Sequence, residues 1–106
     1  MSNYTLFGAT LADGSKANIE VKDGVIVGIG DEVSGESIQV DGLVALPGFV
    51  DLHTHLREPG FEQSETVRTG SMAAAKGGYT AVHAMANTHP VADTAGVVEQ
   101  VAAGLG

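Results

Sequence analysis

The sequence predicts an α/β protein: a small β-rich stretch, residues 1–47, followed by strands and helices in alternation, residues 48–106. Two observations predict it. The first half is cut into short apolar runs by Asp13-Gly14, Asp23-Gly24 and Asp41-Gly42, which are turn dipeptides. The texture changes at Pro47-Gly48, after which an apolar run, a small-residue stretch with helical spacing and a second apolar run succeed one another. That order implies parallel strands joined by helical crossovers.

The first expected strand spans residues 4–10. Residues 17–21 and 25–29 follow as a hairpin about Asp23-Gly24, because glycine accepts the positive φ of a type I′ turn. Residues 38–40 and 43–46 complete the β-rich unit. Gly28-Ile29-Gly30 is no dinucleotide fingerprint: Val33 stands where the third glycine belongs, and no helix pattern follows. Past Pro47-Gly48, a strand starts at Phe49 and runs toward His53. A helix is expected over residues 65–76, with Ser64 as N-cap and Val67, Gly70, Ser71, Ala74 and Ala75 on its buried stripe. Gly77-Gly78 ends it by supplying a left-handed residue. A second strand covers residues 79–85, Asn87-Thr88-His89-Pro90 forms a loop, and a second helix starts near Asp93 or Thr94 and runs to Ala103.

Bulk properties exclude several functions. Net charge is −8, from 5 Lys+Arg against 13 Asp+Glu, with no basic cluster, so neither nucleic acid nor an anionic membrane is an expected partner. There is no cysteine, which excludes disulfides, a thiolate metal site and a cysteine nucleophile. This fits a reducing cytoplasm. No basic region followed by an apolar stretch opens the chain, and no apolar run approaches the roughly 20 residues that span a bilayer.

The chemistry is concentrated in His53-Thr54-His55-Leu56-Arg57-Glu58. Alternate residues of a strand share a face, which puts His53 and His55 roughly 6.6–6.8 Å apart along the backbone, close enough for two imidazoles to converge on one metal ion. A plain alternative is a pair of half-buried strand histidines with hydrogen-bonded rings. The Pro-Gly turn, the apolar strand and the Arg-Glu-Pro-Gly loop around the pair favour the metal. Val50, Leu52, Thr54 and Leu56 form the packing face, while Asp51, His53, His55 and Arg57 form the other. That split is the one expected of the first strand of a (β/α)8 TIM-like barrel, apolar outward and chemistry inward. Two βα units make a quarter of such a barrel, which takes about 200–250 residues, and a two-stranded parallel sheet leaves an edge open. The chain therefore reads as the N-terminal piece of a longer protein, with only the first two βα units present.

From Pro47 to Gly60, and on through Glu65-Thr66, Lys76-Gly77-Gly78-Tyr79-Thr80 and Ala86-Asn87-Thr88-His89-Pro90, the sequence resembles the dihydroorotases, metal-dependent amidohydrolases of pyrimidine biosynthesis. The resemblance covers residues 44–101 well and the β-rich start weakly. It implies a barrel with a small β-domain built from the two chain ends. It also implies a binuclear zinc site and reversible conversion of N-carbamoyl-L-aspartate to (S)-dihydroorotate plus water. His53 and His55 would be zinc ligands; His55, Arg57 and Asn87 would face substrate, with Arg57 and Asn87 holding its carboxylate. The chemistry agrees: imidazole suits zinc, arginine's planar fork pairs a carboxylate bidentately, and paired zinc ions activate water and polarise an amide carbonyl.

The family's usual proline before the Asn-Thr pair is Ala86 here, which would loosen the loop carrying Asn87. The family's carboxylated lysine, later histidine ligands and catalytic aspartate have no counterpart in these residues, so no catalytic residue is assigned and the chain alone is expected to be inactive. His83 reads as an ordinary packed or hydrogen-bonded histidine and His89 as exposed. Asp51 reads as either a partner of a ligand histidine or a structural carboxylate, and Glu58 as loop structure. Expected partners are the small-molecule substrate and aspartate transcarbamoylase or further copies of the chain. Two rival readings are another cyclic amidohydrolase, such as a hydantoinase or allantoinase, and a non-catalytic dihydroorotase-like assembly partner. Arg57 and Asn87 argue against the first, and the retained histidines against the second.

Overall fold

The computed structural model describes residues 2–104. The chain divides into two units, Met1–Pro47 and Gly48–Gly106.

The first unit is a four-stranded sheet of β1 (Asn3–Thr10), β2 (Lys16–Lys22), β3 (Val25–Gly30) and β4 (Glu36–Gln39), in the order β3-β2-β1-β4. β2 pairs antiparallel with both β1 and β3, whereas β4 runs parallel to β1. The hairpin forms where local chemistry demands it: Asp23 has φ 49° and Gly24 φ 77°, the two left-handed positions of a type I′ turn. One face carries the core of Ala9, Ile19 and Val21, covered by Tyr4, Leu6, Leu11, Val40 and Ala45. Buried Thr5 stays satisfied because its hydroxyl donates to the Ser34 carbonyl at 2.7 Å and accepts from the Ser34 N–H at 2.9 Å. The expected strand over residues 43–46 does not form. Val44 makes an isolated bridge to Thr10, whose N–H and C=O pair with Leu43 and Ala45, and the segment pairs no further.

The second unit contains β5 (Phe49–Thr54), α1 (Val67–Lys76), β6 (Tyr79–Ala84) and α2 (Ala95–Ala103). β5 and β6 are parallel, as the alternation predicted, with Phe49 opposite Tyr79 and Thr54 opposite Ala84. Two parallel strands and two helices establish a βα repeat and not, by themselves, a barrel. α1 starts two residues later than expected, and its N-cap is Thr66, not Ser64. The Thr66 hydroxyl accepts from the Thr69 N–H while the Thr69 hydroxyl takes the Thr66 N–H, a reciprocal box that Ser64 in the preceding turn has no partner to build. Val67 and Gly70 are buried, Ser71 and Ala74 half-buried, and Ala75 exposed, so the stripe is narrower than predicted. α2 begins close to the expected start, with Thr94 at the N-cap position but without a side-chain capping hydrogen bond. On the expected packing face of β5, Leu56 is buried, but Val50 and Leu52 stay 54% and 67% exposed, because two strands offer too little surface to cover them. A cavity of about 310 Å³ lies in this unit, lined by Leu56, Val67, Val82, Met85, Val98 and Val101 among others. Among the described residues, no helix is long and apolar enough to cross a membrane.

Candidate functional site

The site gathers where β5 and β6 end side by side. Their pairing continues past Ala84 through a hydrogen bond from the Met85 N–H to the Thr54 carbonyl at 2.8 Å. The loops after the two strands therefore leave from adjacent points, the arrangement by which parallel sheets assemble sites at their C-terminal ends.

His53 lies exposed on β5, and half-buried His55 lies one residue beyond its end. The structure brings the two together: ring centroids are 5.0 Å apart and inclined at 60°. Zn–N bonds of about 2.0–2.1 Å in tetrahedral geometry put two coordinated imidazole centroids about 5 Å apart, a spacing that this pair matches. Asn87, exposed in the loop after β6, joins this group. Its Oδ1 lies 2.8 Å from His55 Nδ1. With the accepting Oδ1 turned to the ring, the contact suits the Nδ1–H tautomer of His55, in which Nε2 keeps its lone pair.

The Asp51 carboxylate accepts the backbone N–H of His53 at 3.0 Å, which makes Asp51 a brace for the strand end. Among the described residues, no three His, Asp or Glu side chains stand together to hold a metal ion. His83, expected to pack or hydrogen-bond, is instead exposed on β6, His89 is exposed in its loop as expected, and neither joins the histidine pair as a further donor.

Arg57 is exposed and has φ 63°, and the Glu58 N–H donates to the Leu56 carbonyl across it at 2.9 Å. This is a γ-turn with its central residue in the left-handed region, a strained conformation for a side chain of this size. The flanking contacts hold it there. The Phe61 N–H donates to the Arg57 carbonyl at 2.9 Å, the Val67 N–H donates to Glu58 Oε2 at 2.7 Å, and the His89 N–H donates to the carbonyl of buried Pro59 at 2.9 Å. Gly60 packs so closely that a Cβ there would stand 2.6 Å from the His89 carbonyl oxygen. The Gly60 N–H also donates to Glu62 at 3.0 Å, and that bond chiefly holds the Glu62 carboxyl below its ordinary range. The loop bearing Asn87 is tied as well: the Ala92 N–H donates to the Ala86 carbonyl at 3.0 Å, closure that does not depend on a proline at residue 86.

Three features escaped the sequence. The helix-capping role of Glu58 and the link from His55 to Asn87 are long-range contacts with no local signature. The positive φ of Arg57 had only an indirect sign, the Pro59-Gly60 turn pair that follows it.

A family model described as dihydro-orotase-like matches residues 42–105. A dihydroorotase of Leifsonia xyli is 60% identical over 101 residues, covering 92% of this chain and 23% of that protein. A dihydroorotase of Streptomyces coelicolor is 57% identical, covering 95% of this chain and 24% of the relative. One of Mycobacterium tuberculosis is 54% identical, covering 84% and 22%. The chain thus spans about a quarter of the length of the curated relatives it matches. With the match beginning in the β-rich unit and running through both histidines, Arg57 and Asn87, the chain belongs to the dihydro-orotase-like family.

Proposed function

We propose that this segment is the N-terminal portion of a dihydroorotase, which interconverts (S)-dihydroorotate and N-carbamoyl-L-aspartate in pyrimidine biosynthesis in the cytoplasm. The observation that carries the reading is 60% identity to a dihydroorotase across 92% of the chain. The juxtaposition of His53, His55 and Asn87, with Arg57 two residues along the chain from His55, supports it, because these residues are imidazole donors and carboxylate-binding groups that follow the ends of adjacent strands. Residues 48–106 would be the first two βα units of a barrel, and residues 1–47 part of a small β-domain.

In this reading His53 and His55 would hold zinc. The ion, when bound, would supply Lewis acidity toward an amide carbonyl and lower the pKa of water. The chain's own residues bind and orient. Arg57 offers two parallel N–H donors to the substrate carboxylate, a charge-assisted pairing that fixes both position and angle. Asn87 adds an N–H donor from the second loop. A carboxylate gripped from two loops leaves the ring amide little rotational freedom relative to the histidine pair, which is how positioning lowers a barrier.

The test is turnover by the complete polypeptide that carries these residues, with dihydroorotate, hydantoin and allantoin offered separately. Hydrolysis of dihydroorotate well above the other two is expected. A preference for hydantoin or allantoin would transfer the protein to another cyclic amidohydrolase, and no turnover of any would make it a non-catalytic relative.

A further inference from the structure

The contact between His55 and Asn87 determines more than the position of one side chain. The two residues are 32 apart in sequence, and their side chains meet at 2.8 Å because β5 and β6 end in register. The hydrogen bond fixes both partners at once. In this arrangement a neutral His55 ring presents Nδ1–H to the amide oxygen, which leaves Nε2 with the lone pair. The amide of Asn87 turns Oδ1 toward the ring, which leaves both N–H bonds of Nδ2 to donate elsewhere.

We propose that Asn87 is a positioning residue for His55, one that holds the imidazole in the tautomer and orientation that offers Nε2 to a metal. Both N–H bonds of Asn87 Nδ2 remain available to donate to a second partner such as a carboxylate. One side chain then links the metal ligand to the recognition of substrate charge. The metal and the substrate in this inference rest on the function proposed above; the tautomer does not. Ring orientation by a neighbouring acceptor is a general way of tuning a ligand histidine, and loss of such a partner costs about 10–100-fold in metal affinity.

The experiment compares Asn87→Ala and Asn87→Asp in the complete protein. The aspartate variant would keep an acceptor for the ring and lose the donors; the alanine variant would lose both. ¹⁵N NMR of histidine-labelled, zinc-free protein reads the tautomer, and competition with a chromogenic chelator reads zinc affinity. In the parent protein His55 should show a protonated Nδ1 and an unprotonated Nε2. N87A should give mixed tautomers and roughly 10–100-fold weaker zinc binding. N87D should retain the parent tautomer and bind zinc as tightly or more tightly, yet raise KM for dihydroorotate as much as N87A does. Parent-like tautomer and zinc affinity in N87A would overturn the proposal and leave Asn87 a substrate contact alone. Zinc binding as weak in N87D as in N87A would also overturn it. If the tautomer and zinc results hold while the parent protein turns over no dihydroorotate, the function proposed above fails and the positioning role stands.

Discussion

The carboxylate of Glu58 accepts a hydrogen bond from the backbone nitrogen of Val67 at 2.7 Å. Val67 is the first residue of α1, and its N–H is one of the four at a helix start that have no partner within the helix. Thr66 caps the Thr69 N–H two positions further on, so the hydroxyl and the carboxylate share the work of closing this end. A negative charge there also complements the helix dipole. The same contact fastens the residue after Arg57 to α1, which couples the shape of the loop to the helix.

Glu58 should therefore act on stability before it acts on chemistry. Glu58→Ala is expected to cost about 1 kcal/mol locally, and Glu58→Gln less, since the amide keeps an acceptor and loses only the charge. Hydrogen exchange at the Val67 amide of the complete protein checks it. The Ala variant should exchange roughly fivefold faster, in proportion to that free energy. Unchanged protection would show that the cap is carried by Thr66 alone.

Arg57 separates backbone strain from side-chain function. At φ 63° a residue with a Cβ is strained by about 1–2 kcal/mol, and glycine is not. Arg57→Gly should therefore unfold at a higher temperature than Arg57→Ala, although both lose the guanidinium. Arg57→Met keeps the strain and most of the volume, so it isolates the charge. It should raise KM for dihydroorotate roughly 10–100-fold, the loss expected for a charge-assisted hydrogen bond, with zinc content unchanged. A normal KM would remove Arg57 from carboxylate binding.

Gly60 and His89 make opposite predictions although they touch. Gly60 has φ 107°, and a Cβ there would stand 2.6 Å from the His89 carbonyl oxygen and 2.7 Å from His89 Cβ. Neither atom can rotate away, because the His89 N–H is hydrogen-bonded to Pro59. Gly60→Ala should destabilise by about 1–3 kcal/mol and displace the loop that carries Asn87, so that KM rises with it. His89→Ala keeps every backbone contact and removes only an exposed ring. Its effect on melting and turnover should stay within about 0.5 kcal/mol. A large loss of activity in that variant would give the His89 ring a role that its position does not suggest.

What could be read in the sequence was what neighbours in sequence decide. The Asp23-Gly24 hairpin follows from the φ requirements of two adjacent residues. The approach of His53 to His55 follows from the period of a strand, even though β5 ends at Thr54. The choice of Thr66 over Ser64 as N-cap was not legible, since both offer a hydroxyl. Thr69, three residues after Thr66, was the partner that decided it. The expected strand at residues 43–46 failed for a related reason: apolar composition suits a strand, but only Thr10 is there to pair with it. The contact of His55 with Asn87 depends on the register of two strands separated by a helix, and no local pattern encodes that register.

The histidine pair supports a last prediction, about completeness. Two imidazoles 5.0 Å apart supply two donors, whereas catalytic zinc takes three protein ligands and an open position. Among the described residues, no third donor stands with them. The 106-residue chain by itself should bind zinc weakly and turn over no dihydroorotate, even when zinc is supplied. In the complete protein, His53→Ala and His55→Ala should each lower zinc content, measured by elemental analysis. Turnover should fall roughly a thousandfold or more, the loss that follows from several kcal/mol of metal stabilisation. Full zinc content and turnover in either variant would place the metal away from this strand. The retained resemblance to dihydroorotases would then lie in the fold and not in the chemistry of His53 and His55.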